Sequence, residues 1–186
     1  MDQFVGYCMV AKNLGIPVVR AFAGDVREGL TLDQLYPRIV SGFKAVAQRV
    51  GDWGITVAIE NHGRLINHGD HLQALLHDVG SPVIKLTLDT GNFCWAGHSV
   101  EVAERFFDAL APFVATVHVK DGCFVVGVWT LTPAGRGEID LAGLLKKLVA
   151  LGYQGAVLSE YEGEADFGVS TLESVAYLRG LRDGLI

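Results

Sequence analysis

Two stretches decide the fold: Ile55-Thr56-Val57-Ala58-Ile59-Glu60 and Val83-Ile84-Lys85-Leu86-Thr87-Leu88-Asp89. Both are short runs of aliphatic and β-branched residues that end in a carboxylate, a composition typical of strands buried in a parallel sheet. A helical pattern separates them, and strand-like runs alternate with helical patterns over the rest of the chain. This alternation is typical of βαβ units, so the sequence predicts an α/β fold in one domain over residues 1–186.

The remaining elements are predicted from apolar spacing and from capping residues. Three further strands are predicted at residues 17–22, 115–121 and 156–160, and a poor sixth candidate lies at 125–131. Helices are predicted over about 4–14, from Thr31 to Gly51 or Gly54, from Asp70 to Val79, from Ser99 to Leu110, from Asp140 to Gly152 and over about 170–182. Asp70, Ser99 and Asp140 are the predicted N-caps of their helices.

The composition excludes several classes of protein. Half of the 186 residues are hydrophobic and 19% are charged, which is too apolar for a disordered chain. The formal net charge of -6 disfavours a nucleic-acid partner, because phosphate backbones attract basic surfaces. No apolar run approaches the ~20 residues that cross a bilayer, so we expect no membrane partner. Three cysteines without a C-x-x-C pair favour a reducing compartment, and we expect a cytoplasmic protein.

Four of the predicted strands end in a side chain that can bind a metal ion: Glu60, Asp89, His118 and Glu160. For any one of them, a solvated turn or a helix N-cap is an equally good interpretation. In a parallel barrel, however, the carboxyl ends of all strands lie on one face, so these four side chains can converge. Three carboxylates and one imidazole form a hard, oxygen-rich ligand set that suits Mn²⁺, Mg²⁺ or Co²⁺, with Zn²⁺ as an alternative.

Five motifs follow one another along the chain in a recognisable order. They are Ile59-Glu60-Asn61-His62-Gly63, Leu88-Asp89-Thr90-Gly91-Asn92-Phe93, His118-Val119-Lys120-Asp121, Gly135-Arg136-Gly137-Glu138-Ile139-Asp140 and Glu160-Tyr161-Glu162-Gly163. Each motif alone is loose, but the ordered set resembles the xylose isomerase-like TIM-barrel superfamily, and within it the sugar phosphate isomerase/epimerase branch. The resemblance spans roughly residues 18–163, which is most of the chain.

The resemblance implies a (β/α) TIM barrel with one divalent metal ion, Mn²⁺ in first place, held by Glu60, Asp89, His118 and Glu160. It also implies an enzyme of carbohydrate metabolism, an isomerase or epimerase whose substrate is a small sugar or sugar phosphate. In this type of enzyme Glu60 and Glu160 are the catalytic residues, which move a proton on and off the carbon beside a carbonyl through an enediolate.

Further residues of these motifs are candidates for substrate binding: His62, Asn92, Lys120 and Asp121. Lys120 and Asp121 directly follow a candidate ligand, where they either hold substrate hydroxyls, orient the ligand or form a salt-bridged turn. Asn92 stands where some relatives have a histidine that meets the substrate, and His62 either faces the site or is an ordinary loop residue.

The remaining histidines, His68, His71, His77 and His98, are interpreted as structural, because their segments have the character of loops or exposed helix faces. Three aromatic residues, Phe93, Trp95 and Trp129, either wall a sugar pocket or cover the core.

The chain is shorter than a complete TIM barrel, which has eight βα units in ~250 residues. The resemblance places its strands at the third through eighth positions, so the first two βα units are predicted to be absent. An open barrel leaves two sheet edges unpaired, and unpaired edges favour association. We expect a homo-oligomer that covers these edges. The alternatives are an exchanged element, the first helix, or a missing part of the natural protein.

Two other functions remain open. A nuclease similar to endonuclease IV uses the same fold, but it needs additional histidine ligands and a basic groove for DNA. No histidine follows His118, and the net charge is negative. The non-enzymatic alternative is a truncated barrel that binds a metal or a sugar without turning it over.

Overall fold

The computed structural model describes residues 1–185, and a parallel sheet lies at the centre of this part of the chain. The strands are β1 (Val18–Phe22), β2 (Thr56–Glu60), β3 (Ile84–Asp89), β4 (Val114–Val119), β5 (Asp121–Val125), β6 (Val128–Thr132) and β7 (Val157–Ser159). Five of them form the parallel sheet in the order β1-β2-β3-β4-β7, and β5 pairs with β6 in a separate antiparallel hairpin. The predicted α/β class with a parallel sheet is therefore confirmed.

Helices connect the strands of the sheet, as the apolar spacing predicts. They are α1 (Asp2–Asn13), α2 (Leu32–Val50), α3 (Gly69–Val79), α4 (Asn92–Trp95), α5 (Val100–Leu110), α6 (Leu141–Ala150) and α7 (Phe167–Leu185), and a 3-10 turn covers Ala111–Phe113. Thr31 and Gln34 form a capping box at the start of α2, and Ser99 and Asp140 cap α5 and α6. None of the helices in residues 1–185 combines the length and the hydropathy needed to span a bilayer.

The predicted N-cap of α3 is wrong. Helix α3 begins one residue before Asp70, and its N-cap is His68, whose Nδ1 accepts a hydrogen bond from the Asp70 backbone N–H at 3.2 Å. Asp70 lies in the first turn instead, where a carboxylate interacts favourably with the positive end of the helix dipole. Sequence patterns favour Asp over His as a cap, and here the imidazole takes that role because of the path of the loop before α3.

The sixth strand candidate does not join the sheet. Residues 125–131 fall in the β5–β6 hairpin, in which Val125 lies opposite Val128. The two residues between them, Val126 and Gly127, have φ angles of 50° and 79°, as required by the tight turns that join antiparallel strands. The hairpin accounts for the β-rich sequence without adding a parallel strand.

The core lies between the central strands and the helices. Side chains on both faces of β2 and β3 are buried, because helices cover a parallel sheet on both sides. Ile59, Leu86 and Leu88 are completely buried in this core. Leu72 and Leu75 of α3 and Phe107 and Leu110 of α5 are buried in the same cluster, so the sheet that carries the strand ends is rigidly supported.

Both outer strands of the sheet have one open side. Within residues 1–185 no strand pairs with the outer edge of β1 or of β7. An apolar cavity of about 400 Å³ borders the β1 edge near Phe22 and Phe43, and one of about 490 Å³ borders the β7 edge near Val157 and Leu178. The sheet is thus an incomplete barrel, as the short length of the chain predicts.

We predict that Leu88→Ala destabilises the protein by about 3 kcal/mol, because it leaves a cavity in the fully buried centre of the sheet. Leu172→Ala is the matched control, since Leu172 is 72% exposed and its truncation should cost less than about 0.5 kcal/mol. The free energy of unfolding in urea measures both. Equal values for the two variants would contradict the assignment of the core.

Candidate metal centre

Four neighbouring strands bring the candidate ligands to one rim of the sheet. Glu60 and Asp89 are the last residues of β2 and β3, and His118 is the penultimate residue of β4. Asp89 lies directly opposite His118 in the parallel register. Glu160 follows β7, and its backbone N–H donates to the Val119 carbonyl at 3.0 Å, which keeps it beside β4. Parallel strands end at the same edge, so the four side chains meet there.

The four side chains form one cluster. One ligand atom from each of Glu60, Asp89, His118 and Glu160 can be chosen so that all four lie within 4.8 Å of one another. His118 Nδ1 is 2.8 Å from Glu160 Oε2 and 3.6 Å from Glu60 Oε2. The convergence predicted from the strand ends is therefore present.

Asp89 is fixed more tightly than the other members of the cluster. It is completely buried, and its Oδ1 accepts hydrogen bonds from the backbone N–H groups of Gly91 and Asn92 at 3.0 and 2.9 Å. The Asn61 side chain binds both the backbone N–H and the backbone carbonyl of Asp89, at 2.7 and 2.9 Å. Only Oδ2 is left to face the cluster, where the Lys120 ammonium lies beside it.

Two cations offset the repulsion between the carboxylates. Lys120 Nζ lies 3.0 Å from Asp89 Oδ2, 3.4 Å from Glu160 Oε2 and 3.0 Å from Glu162 Oε2. Arg20 Nη1 lies 2.8 Å from Glu60 Oε2 and 3.8 Å from Glu160 Oε1. Gly91 makes the approach of Lys120 possible, since a Cβ at this position would stand 2.6 Å from the Lys120 Cβ.

The environment shifts the pKa values of the acids in opposite directions. Burial raises the pKa of Asp89 to about 7, although the charge of Lys120 opposes this shift. The hydrogen bond with His118 lowers the pKa of Glu160 to about 2, and the nearby Lys120 charge lowers it further. Burial alone would lower the pKa of Lys120, but Asp89, Glu162 and Glu160 outweigh burial and raise it. The surrounding acids thus favour the charged form of Lys120.

The residues of the cluster fit a divalent cation. A buried carboxylate oxygen, Asp89 Oδ2, lies close to two more carboxylates and an imidazole. Carboxylates and a single imidazole are ligands of hard and borderline divalent ions, and an added ion would compensate the buried negative charge.

A small cavity adjoins the cluster. Its volume is about 190 Å³, and it is lined by His62, Gly91, Asn92, Trp95, Lys120, Leu131 and Glu162. Asn92 Nδ2 donates to Glu60 Oε1 at 3.3 Å, so the cavity wall is in contact with the cluster. Three of the four residues predicted to bind substrate, His62, Asn92 and Lys120, thus line one space.

Asp121, the fourth predicted substrate residue, has other contacts. Its buried carboxylate accepts hydrogen bonds from the backbone N–H groups of Gly122, Gly135 and Gly137 at 2.9, 2.8 and 3.0 Å, and from Ile139 at 3.4 Å. A Cβ on Gly137 would collide with Asp121 Oδ1. In this structure Asp121 ties the loop before α6 to the end of β4.

The structure separates the three predicted aromatic wall residues. Trp95 lines the cavity, Phe93 is completely buried in the core, and Trp129 packs against Phe124 in the hairpin with ring centroids 5.1 Å apart. Sequence reasoning missed Arg20 and Glu162 as partners of the cluster. Arg20 precedes the end of β1 by two residues, and Glu162 belongs to the same motif as Glu160. Their positions near strand ends could therefore have indicated that both lie near the cluster.

Comparison with known proteins agrees with this geometry. Residues 1–181 match the model of the xylose isomerase-like TIM-barrel family. The chain therefore belongs to this family. No curated protein matches the chain.

Solved structures with a similar fold include metal-bound and epimerase proteins. A zinc-bound IolI protein superposes with a TM-score of 0.79 at 17% identity, over 100% of this chain and 69% of that one. A xylose isomerase-like protein from Mycobacterium smegmatis in complex with magnesium gives 0.76 at 17% identity, over 96% and 65%. An L-ribulose 3-epimerase gives 0.69 at 22% identity, over 95% and 64%. The chain thus spans about two thirds of the length of these proteins.

We predict that Lys120→Met lowers the free energy of unfolding by roughly 3 kcal/mol in the presence of a chelator, because buried acids lose their counter-charge. Lys147→Met is the matched control, since Lys147 pairs with Asp108 at the surface and its loss should cost less than about 1 kcal/mol. Urea unfolding of both variants measures the difference. A Lys120 variant as stable as the control would show that this cation does not hold the cluster together.

Proposed function

We propose that the chain is a divalent-metal-dependent sugar or sugar-phosphate isomerase or epimerase, which transfers a proton beside a carbonyl through an enediolate. The observation that carries this proposal is the convergence of Glu60, Asp89, His118 and Glu160 within 4.8 Å beside a small cavity. Family membership and the epimerase among the structural neighbours support it.

These four residues would hold the ion, and Mn²⁺ is our first candidate. Mg²⁺ and Zn²⁺, which the two metal-bound neighbours contain, and Co²⁺ are the alternatives. A divalent ion bound there supplies Lewis-acid polarisation of substrate oxygens and positive charge where negative charge develops.

Glu60 and Glu160 are the proposed proton carriers. Glu60 is buried and held from two sides, by Arg20 at one oxygen and by Asn92 at the other. The Glu160 side chain is 29% exposed and is oriented by His118 and Lys120. If one carboxylate removes a proton from one face and the other residue, in its protonated form, donates a proton to the opposite face, the carbon centre is inverted. Donation of a proton to the neighbouring carbon isomerises the sugar instead.

The remaining candidates have distinct proposed roles. His62, Asn92 and Lys120 bind substrate hydroxyls, because they line the cavity beside the cluster. A direct contact of Asp121 with substrate stays a prediction, and its hydrogen bonds to the loop before α6 support a positioning role.

We also propose that a second copy of the chain covers the open edges. The apolar cavities beside β1 and β7 and the exposed Phe22 and Leu158 support association. Analytical ultracentrifugation should then show a dimer or larger species at micromolar concentration, and a monomer at all concentrations would contradict this proposal.

We predict that the protein binds about one Mn²⁺ per chain and that Glu160→Gln abolishes turnover, because the amide cannot carry the proton and is a poorer ligand. Glu164→Gln is the matched control, since Glu164 is an exposed glutamate of the same loop. Metal content is measured after dialysis, and turnover is measured on a panel of ketoses and ketose phosphates with added Mn²⁺.

The outcomes separate the alternatives. Metal binding without turnover of any sugar indicates the non-catalytic barrel. Metal content and turnover that survive in Glu160→Gln would refute the assignment of the site. Loss of turnover after treatment with a chelator, and its return with Mn²⁺, is the expected companion result.

A further inference from the structure

A second cavity lies next to the candidate substrate cavity. Its volume is about 470 Å³, and the residues that give it its character are Arg64, Asn67, His68, His71, Trp95 and His98. Trp95 lines both cavities, so the two spaces share a wall residue. The sequence predicts a structural role for His68, His71 and His98, and the candidate metal centre uses none of them.

Aromatic and imidazole rings form one side of this second cavity. The His68 ring lies 5.0 Å from His71, 5.3 Å from His98 and 4.6 Å from Phe106, between ring centroids. His68 Nδ1 caps α3, which leaves its Nε2 without a hydrogen bond to any residue in the described chain. The wall thus combines flat apolar surfaces with ring nitrogens that can bond to hydroxyl groups.

Asn67 presents an acceptor without a partner. Only 5% of the surface of Asn67 is exposed, and its Nδ2 donates to the Asn92 carbonyl at 2.8 Å. This bond fixes the orientation of the amide. Oδ1 has no hydrogen-bond partner within residues 1–185, a costly state for a buried acceptor. A hydrogen-bond donor, such as a hydroxyl, would satisfy this oxygen.

The same residue connects the two cavities. Asn67 holds the backbone of Asn92, and the Asn92 side chain donates to the Glu60 carboxylate at 3.3 Å. Trp95, three residues after Asn92, is 49% exposed, and the Arg64 guanidinium lies 5.5 Å from its ring centroid. A ligand that spans both cavities would therefore contact the residue that positions a proposed proton carrier.

The geometry points to a second subsite, which takes a second hydroxyl-rich unit of the substrate beyond Trp95. This inference rests on the proposed function and specifies its substrate class: a ketose that carries a glycosyl or similar polyol group. The ring of that unit packs against Trp95, and its hydroxyls bond to Asn67, Arg64 and the imidazoles.

Other ligands fit the second cavity less well. A cation would meet the positive end of the α3 dipole beside His68. An anion would meet the unpartnered acceptor oxygen of Asn67. A neutral polyol avoids both conflicts.

Calorimetric titration of the Mn²⁺-loaded protein tests the inference with turanose, lactulose and isomaltulose, and with D-fructose as the single-ring reference. At least one of the glycosylated ketoses should bind about tenfold more tightly than D-fructose. This ratio should fall to about one in Asn67→Ala and in Arg64→Ala. Arg64 is exposed, so the second variant is informative even if Asn67→Ala fails to fold. His77→Ala, at the far end of α3 with an 88% exposed side chain, should keep the ratio.

A second measurement separates this inference from the proposed function. Imidazole ¹H–¹⁵N spectra should show that methyl β-D-glucoside shifts the His68 and His98 resonances and leaves His118 unshifted. These shifts without turnover of any ketose would support the subsite and refute the isomerase. Turnover of ketoses with no glycoside-induced shift and no preference for glycosylated ketoses would refute the subsite alone. Shifts caused by inorganic phosphate instead of the glycoside would overturn the polyol assignment in favour of an anion.

Discussion

Three carboxylates packed around one imidazole repel one another, and this repulsion is the constraint on which the site depends. Burial strengthens it, because little water screens Glu60 and Asp89. The chain offsets it with Lys120 on one side and Arg20 on the other. The sheet contributes the rest, since the register that places Asp89 opposite His118 is fixed by backbone hydrogen bonds and a buried core. A cluster held in this way is predisposed to accept a cation.

Much of this arrangement could be predicted from the sequence, because the residues at each strand end can be recognised from the local sequence alone. Apolar runs that end in Glu60 and Asp89 define both a strand and the rim at which it stops, and βαβ alternation makes those rims coincide. The partners of the cluster could not be predicted in the same way. Lys120 contacts Glu162 across separate strand ends, and Arg20 reaches Glu60 from the neighbouring strand. Such contacts depend on register and side-chain path, which one sequence does not specify.

The errors have local physical causes. The β-branched residues of 125–131 are compatible with a hairpin as well as with a barrel strand. The tight turn at Val126 and Gly127 reverses the chain and produces the hairpin. His68 displaces Asp70 as the cap of α3 because an imidazole nitrogen can accept the same hydrogen bond that a carboxylate would. Asp121 directly follows the predicted ligand motif, and this position predicts a substrate contact. In the structure, however, backbone N–H groups of a loop surround its carboxylate.

The four candidate ligands are distributed unevenly over the sheet. Three of them stand on interior strands, whereas Glu160 follows β7, a strand of three residues with a neighbour on one side. A short edge strand frays easily, so its amide hydrogens should exchange with solvent faster than those of β2 or β3. An ion held by all four candidate ligands would bind only the state in which this strand is docked, so its occupancy and the fraying of β7 would be thermodynamically linked. The open edge of the sheet at β7 would thereby respond to occupancy of the candidate metal centre.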